Sequence, residues 1–517
     1  MASRRKPISI FNDVLGPVMR GPSSSHTAAS FHIGRLARGL LGQPPAAATF
    51  TFDANGSFGQ VFRQQASDLA FATGLMGWSI TDERFSQALQ IAADQDLGMG
   101  FQVADLPEVD HPNVVDIDIV GRGGVRLQAR AKSIGGGAVV FTEVNGWSVE
   151  LRGDAHEVLL VTTPDRLPAA RDLMTEHGEM VEEPTVVARD DEVLLHIRRG
   201  APLPDEQLAA LADTGDVWTA PPIFFPQRGT SLGANAADLL ALAEALDLSL
   251  GRVAVAYEST LLGLSEDEVL AEVTRRFEVM RAAVHRGLTD PPPMQLLEPS
   301  AGQVARAEAA GRVPIGGIHT RAAAAAMAVM HVNGGNGVVC AAPTAGSAGA
   351  VPGTLVTLAE EWDLEPERAA LSLLAAAAVG LVLGTRATFA AEVAGCQVEI
   401  GAAGAMAAAG VVEAAGGSAR TATDAAAISF QNTMGLPCDL VQGAVEIPCH
   451  TRNGVAAASA FVCADLIMGG YVNPIPLDET IDAAYAVGQM LPREIKCTAL
   501  GGLALTPSAQ AMRCRHR

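Results

Sequence analysis

Aromatic residues are scarce in this 517-residue chain, at 4%, while glycine and alanine are abundant. That balance points away from an aromatic-rich binding surface and toward closely packed helices with small residues at their contacts. Positive charge is also in short supply. A net charge of −21 without a basic run argues against a nucleic-acid partner and favours a small-molecule enzyme. No cysteine precedes Cys340, and the seven present are an odd, unevenly placed set. This speaks against a disulfide framework and makes a reducing cytoplasm the expected compartment. No membrane partner is expected either. The uncharged run from Ala369 to Gly384 is short for a bilayer and dominated by alanine, so a buried central helix is predicted. The basic start Met1–Pro7 leads into Ile8–Val18, where Asn12, Asp13, Gly16 and Pro17 interrupt any export-type apolar core, so a cytosolic start is expected.

The length implies several domains. Three are predicted: an α+β N-terminal domain over 1–152, a βαββαβ middle domain over 153–228, and an all-α C-terminal domain over 229–517. In the first, strands over 49–52, 114–120, 125–131 and 139–144 form an antiparallel meander, with helices over 60–75 and 83–97. The triplet Gly135-Gly136-Gly137 is expected to be a hairpin turn. In the second, strands over 156–163, 180–188, 192–199 and 217–225 alternate with helices over 165–177 and 205–212. This order resembles the ACT regulatory module, a pattern shared by many ferredoxin-like domains. A proline-rich linker, 221–233, precedes the helices 235–246, 252–262, 266–287 and 321–332.

Three stretches carry chemistry. In Gly21-Pro22-Ser23-Ser24-Ser25-His26-Thr27, four hydroxyls and a histidine exceed what one helix cap needs, and they predict an anion pocket. The segment Ala341–Gly353, rich in small residues and bounded by Pro343 and Pro352, allows close backbone approach to a ligand. Finally, Cys396, Cys438 and Cys449 stand in turn contexts, each after a glycine or proline, without any Cys-x-x-Cys pairing. A structural zinc normally takes four ligands, whereas an iron–sulfur cluster with one open iron needs three. By spacing alone, packing as small apolar residues is the favoured reading. The polar neighbours Glu399, Asp439, Glu446, His450, Arg452 and Asn453 argue for a site.

Taken together, Gly-Pro-Ser-Ser-Ser-His-Thr, Ala-Ala-Pro-Thr-Ala-Gly-Ser at 341–347, Ala-Gly-Cys-Gln at 394–397, Cys438-Asp439 and Pro448-Cys449 resemble the iron-sulfur-dependent L-serine dehydratases. The resemblance covers most of the chain outside 156–226 and implies fused β and α domains. It implies a 4Fe-4S cluster on Cys396, Cys438 and Cys449, with no pyridoxal phosphate. It also implies a homo-oligomer, expected to be a dimer, acting in amino-acid metabolism and gluconeogenesis. His26 is the expected base, supported by Ser25. Ser23, Ser24, Thr27, Asn333, Thr344 and Ser347 are the expected substrate contacts. Cys514 is a possible tail ligand, with Cys497 as its alternative. Two departures stand out. Gln65 occupies the place of a family histidine that is itself a candidate base, and Gly404-Ala405-Met406-Ala407 lacks a thiol frequent in the family. A related lyase or desulfhydrase on another substrate, and a non-catalytic amino-acid sensor, are the competing readings.

Overall fold

The computed structural model describes residues 7–175 and 180–515. The basic start over 1–6 and the last two residues of the helix predicted over 165–177 lie outside the described residues. The chain is a multidomain mixed α/β protein with a helical C-terminal region.

Its first unit is a six-stranded sheet in the order Gly98–Ala104, Pro45–Asp53, Val114–Gly121, Arg126–Gly135, Ala138–Val144, Trp147–Leu151. Pro45–Asp53, Val114–Gly121, Arg126–Gly135 and Ala138–Val144 form the predicted antiparallel meander, and the glycine triplet makes the turn, with Gly135, Gly136 and Gly137 all at positive φ. Two strands escaped prediction. Gly98–Ala104 is a mostly exposed edge that pairs parallel to Pro45–Asp53, so it carries no inward apolar alternation. Trp147–Leu151 is a five-residue edge strand. Helices Ala29–Leu41 and Ser67–Met76 cross at glycines: a Cβ at Gly74 would lie 2.5 Å from the Phe31 carbonyl oxygen, and one at Gly34 would lie 2.9 Å from that of Phe71. The helix predicted over 60–75 is in fact two, Ser57–Val61 and Ser67–Met76, because Ala66 at φ 54° breaks the run.

A four-stranded antiparallel sheet follows, ordered Asp216–Ala220, His156–Thr162, Glu192–Arg199, Thr185–Arg189, with helices Leu167–Thr175 and Asp205–Ala212. The last strand stops at Ala220, since Pro221 and Pro222 cannot donate to a ladder. The 221–233 connection is pinned: Ile223 and Phe224 donate to the Gly153 carbonyl, and Phe225 exchanges hydrogen bonds with Asn12.

The remainder is helical. Pro366–Arg386 packs on Ile400–Ala414, whose fifteen residues are all buried, with Ile318–Gly334 and Cys449–Met468 beside them. An 18-residue window of Pro366–Arg386 is apolar enough for a membrane span, yet 78% of it is buried in the protein. Two short pairings interrupt the helices. Val18–Arg20 pairs antiparallel with Val338–Cys340, stitching the serine loop to the helical region, and Cys438–Asp439 pairs parallel with Lys496–Thr498.

Buried histidines give this fold an acid weakness. Burial pushes His32 and His331 down to about 4. The unfolded chain takes up these protons near pH 6.5 while the fold refuses them, so stability falls as pH drops from about 6.5 to about 4 and is unaffected by these groups above that window. His32→Asn should flatten the slope of melting temperature against pH, with roughly 3 kcal/mol at stake at pH 4.

Candidate active site

The cysteines are brought together by backbone and amide bonds from neighbouring turns. Cys396 N–H donates to the Leu436 carbonyl at 2.9 Å, and Gln397 ties the same turns by accepting from Gly435 and donating to Ala394. Cys396 therefore lies against Cys438, and the ligand atoms of Cys396, Glu399 and Cys438 all lie within 4.8 Å of one another. Cys449, the first residue of helix Cys449–Met468, stands outside that tight group but faces Cys396. All three thiols are buried. Contact with Cys438, together with burial, pushes the Cys396 thiol well up, and burial does the same for Cys449. Arg452 supplies the opposing charge: it faces all three sulfurs, pairs with Asp439 at 3.1 Å and donates to the Pro437 carbonyl. A buried set of soft sulfur donors beside one guanidinium is compatible with a metal centre.

A further thiol belongs to this neighbourhood. Cys497, in the strand Lys496–Thr498 paired with Cys438–Asp439, faces Cys438, whereas Cys514 is a half-buried tail residue whose neighbour Arg515 donates to Gln295 and pairs with Glu298.

The serine loop is docked directly onto the thiol-bearing segments. Ser25 Oγ donates to Glu392 at 2.6 Å, one turn before Cys396. Ser24 Oγ accepts from Ala345 N–H at 3.2 Å, and Asn333 Nδ2 donates to the Pro22 carbonyl at 2.7 Å. Ser23 caps the short helical turn Ser24–Ala28 through His26 N–H. Thr27 is occupied internally: its hydroxyl donates to the Gln65 carbonyl and accepts from Ser23 N–H. Thr344 and Ser347 bond to each other at 3.1 Å in a reciprocal cap. Asn453 locks that cap's loop to Cys449 by accepting from Gly349 and Ala350 and donating to Gly346 and Cys449.

His26 is completely buried between Phe58 and the loop hydroxyls. Burial pushes its pKa down and the Glu392 carboxylate pulls it back up, leaving it below the ordinary histidine value. Glu399, facing Thr344, is pushed by burial, and then by the Glu392 charge, to about 8.

Several buried polar atoms here have no partner: both amide atoms of Gln65, Asn333 Oδ1 and His450 Nε2. The last follows from a tautomer chain. Ser300 and Ala301 N–H groups both donate to His331 Nε2, so His331 carries its proton on Nδ1 and gives it to His450 Nδ1 at 3.1 Å. His450 is left with an Nε2–H donor beside Gly334, next to Asn333. Buried polar atoms are ordinarily paired, so these atoms stand out where the serine loop meets the helical region. Of the residues that build this site, Glu392, Asn113, Ser57 and His331 were not anticipated, whereas Cys497 was named as the alternative to Cys514. The unanticipated ones are common residue types on distant segments, and proximity alone reveals them.

A model of the family described as serine dehydratase alpha chain matches residues 205–504. The chain belongs to the serine dehydratase alpha chain family. It is 35% identical over 281 residues to a probable L-serine dehydratase alpha chain of Bacillus subtilis, covering 54% of this chain and 93% of that one. It is 34% identical over 251 residues to the L-serine dehydratase alpha chain of Peptoniphilus asaccharolyticus, covering 48% and 86%. It also matches a probable L-serine dehydratase beta chain of Bacillus subtilis, 40% identical over 158 residues, covering 31% and 69%. This serine dehydratase family member thus joins in one polypeptide segments similar to an alpha and a beta chain.

Proposed function

We propose that the protein is an L-serine ammonia-lyase, converting L-serine to pyruvate and ammonia, with Cys396, Cys438 and Cys449 holding a 4Fe-4S cluster. The observation that carries this reading is the docking of the serine loop onto the thiol-bearing turns, with unpartnered Gln65, Asn333 and His450 atoms around the junction. Buried sulfur donors facing Arg452 fit such a cluster by their chemistry. When bound, it supplies a Lewis-acidic iron for the departing β-hydroxyl.

The chain's own groups do the rest. His26 is neutral and takes the α-proton on its ring. The electron pair of that C–H bond becomes the Cα–Cβ double bond as the hydroxyl leaves, and the aminoacrylate released tautomerises and hydrolyses to the 2-oxo acid and ammonia. Ser23 and Ser24, with Asn333, Thr344, Ser347 and the His450 Nε2–H, surround the carboxylate and amino group. Burial of the site excludes water. Of the two candidate tail thiols, Cys497 is the one that faces Cys438 and would serve as a further ligand.

The orphaned Gln65 amide supports a second reading, a lyase or desulfhydrase whose substrate bonds to that amide. The sheet order of the 156–220 unit supports an ACT-like regulatory role. The division into 1–152, 153–228 and 229–517, a homodimeric state and a cytoplasmic setting complete the proposal.

Anaerobic purification followed by ammonia release from a panel of L-serine, L-cysteine, L-threonine and 2-hydroxy acids tests it. L-Serine should be the best substrate, and His26→Ala should keep the brown absorbance while lowering kcat by about 10²- to 10⁴-fold. Ammonia release from L-cysteine alone would favour the second reading, and unchanged kcat in His26→Ala would remove His26 from the base role.

A further inference from the structure

The hydrogen-bond chain around His26 runs from Glu392 through Ser25, with Ser23 Oγ also 3.3 Å from His26 Nδ1. Glu392 Oε1 accepts from Ser25 Oγ at 2.6 Å and from Asn113 Nδ2 at 2.9 Å. A hydroxyl has one proton, and Ser25 gives it to the carboxylate. Ser25 Oγ therefore turns a lone pair to His26 Nδ1, 3.1 Å away, which assigns the hydrogen to that nitrogen, with Ser23 Oγ at 3.3 Å as a second acceptor. A neutral imidazole then has its lone pair on Nε2, which lies 3.2 Å from Ser57 Oγ. The Ser57 hydroxyl has two acceptors to choose between, His26 Nε2 and the Cys497 carbonyl at 3.1 Å, so it can turn away and uncover the nitrogen.

We propose that Glu392 is the positioning residue of the base: through the Ser25 hydroxyl it fixes His26 with its proton on Nδ1 and its Nε2 lone pair toward Ser57. The proposal rests on the reading of His26 as the base. Glu392 sits in the short helix Ala391–Ala394 that leads into Cys396, so one segment carries both the first thiol and the group that orients the base. Burial of this carboxyl is overcome by His26, Ser25 and Asn113, which hold its pKa down and keep it ionised. It steadies the imidazolium formed when the α-proton arrives, and it takes no proton itself. His111, Glu399 and Cys497 also face Glu392, and Lys132 and Asp110 face His111. Among these groups, Glu392 is the charge that raises the pKa of His26 against the effect of burial.

The test uses the anaerobic holoenzyme with Glu392→Gln and Ser25→Ala. The amide introduced by Glu392→Gln can still accept from Ser25 and Asn113 but carries no charge. Iron content, absorbance and KM should stay within about twofold, while kcat falls about 10- to 100-fold. Without the carboxylate the His26 cation is less favoured, so the acid limb of the kcat/KM profile should move to lower pH. The primary isotope effect with [2-²H]serine should grow as proton removal becomes harder. A wild-type kcat and acid limb in Glu392→Gln would overturn the proposal while leaving the dehydratase reading intact. If Glu392→Gln loses iron or fails to fold, Ser25→Ala decides by the same pH profile, since it cuts the link and leaves Glu392 with Asn113: a lowered limb supports the proposal and an unmoved one overturns it. A wild-type enzyme that releases no ammonia from any amino acid in the panel would overturn the dehydratase reading and this proposal with it.

Discussion

Alanine at Cys396, Cys438 or Cys449 should abolish the brown absorbance of the anaerobically purified protein and lower turnover of L-serine by on the order of 10³-fold or more. Loss of several kcal/mol of charge stabilisation at the leaving hydroxyl has that size. The comparison has a built-in control. Cys463 lies on the same helix as Cys449 and is also buried, but its thiol bonds with Ser459 and Ser429 rather than with the cluster-forming set. Cys463→Ala should keep the iron and the activity, at a modest packing cost. Iron analysis and the visible spectrum read both outcomes. Retention of the chromophore in all three alanine variants would refute the ligand set, whereas its loss in Cys463→Ala would show that any thinning of this core releases the metal. The expected asymmetry follows from position: Arg452 faces Cys396, Cys438 and Cys449.

What could be read from the sequence depended on how unusual the residues were. The serine loop and the three cysteines announce themselves because a run of hydroxyls after Gly-Pro, and thiols each preceded by a glycine or proline, are distinctive local patterns. The Gly135–Gly137 turn was legible for the same reason. Glu392, Asn113 and Ser57 were not: each is an ordinary residue on a different element, and only folding carries Ser25 and Asn113 to one carboxylate oxygen. Local pattern also failed where tertiary context overrides it. Ala66 is a strong helix former yet stands at φ 54°, turning the chain so that Gln65 O can receive Thr27. The edge strand Gly98–Ala104 lacked a signal because a mostly exposed edge has no apolar alternation to display. Glu446 was read as part of the site, but its carboxylate is spent on the backbone of Gln295, Leu296 and Leu297, an anchoring role indistinguishable by sequence from a functional one.

The junction of the serine loop with Asn333 makes the sharpest steric demand near the site, and Gly21→Ala should break it. Gly21 donates to the Gly337 carbonyl and accepts from Asn336 Nδ2, so its backbone cannot retreat without losing both bonds. A Cβ there would lie 2.7 Å from the Asn333 carbonyl carbon and closer still to Asn333 O and Oδ1. These are mainly backbone atoms at the end of helix Ile318–Gly334, fixed by packing, so the loop must move instead. Moving it shifts Ser23, Ser24 and His26 against the thiol-bearing turns, where a displacement of about 1 Å costs on the order of 10²-fold in rate. The expected result is a kcat/KM lowered by about that factor, with iron retained and stability reduced by about 1–3 kcal/mol. Gly42→Ala separates this effect from a general glycine penalty. Gly42 adopts φ +69° at the end of helix Ala29–Leu41 with nothing within 4 Å of its would-be Cβ, so it should cost about 1 kcal/mol of stability and leave kcat/KM untouched. Equal kcat/KM in the two variants would mean that the serine loop tolerates displacement, and the docked geometry would then not be what positions His26.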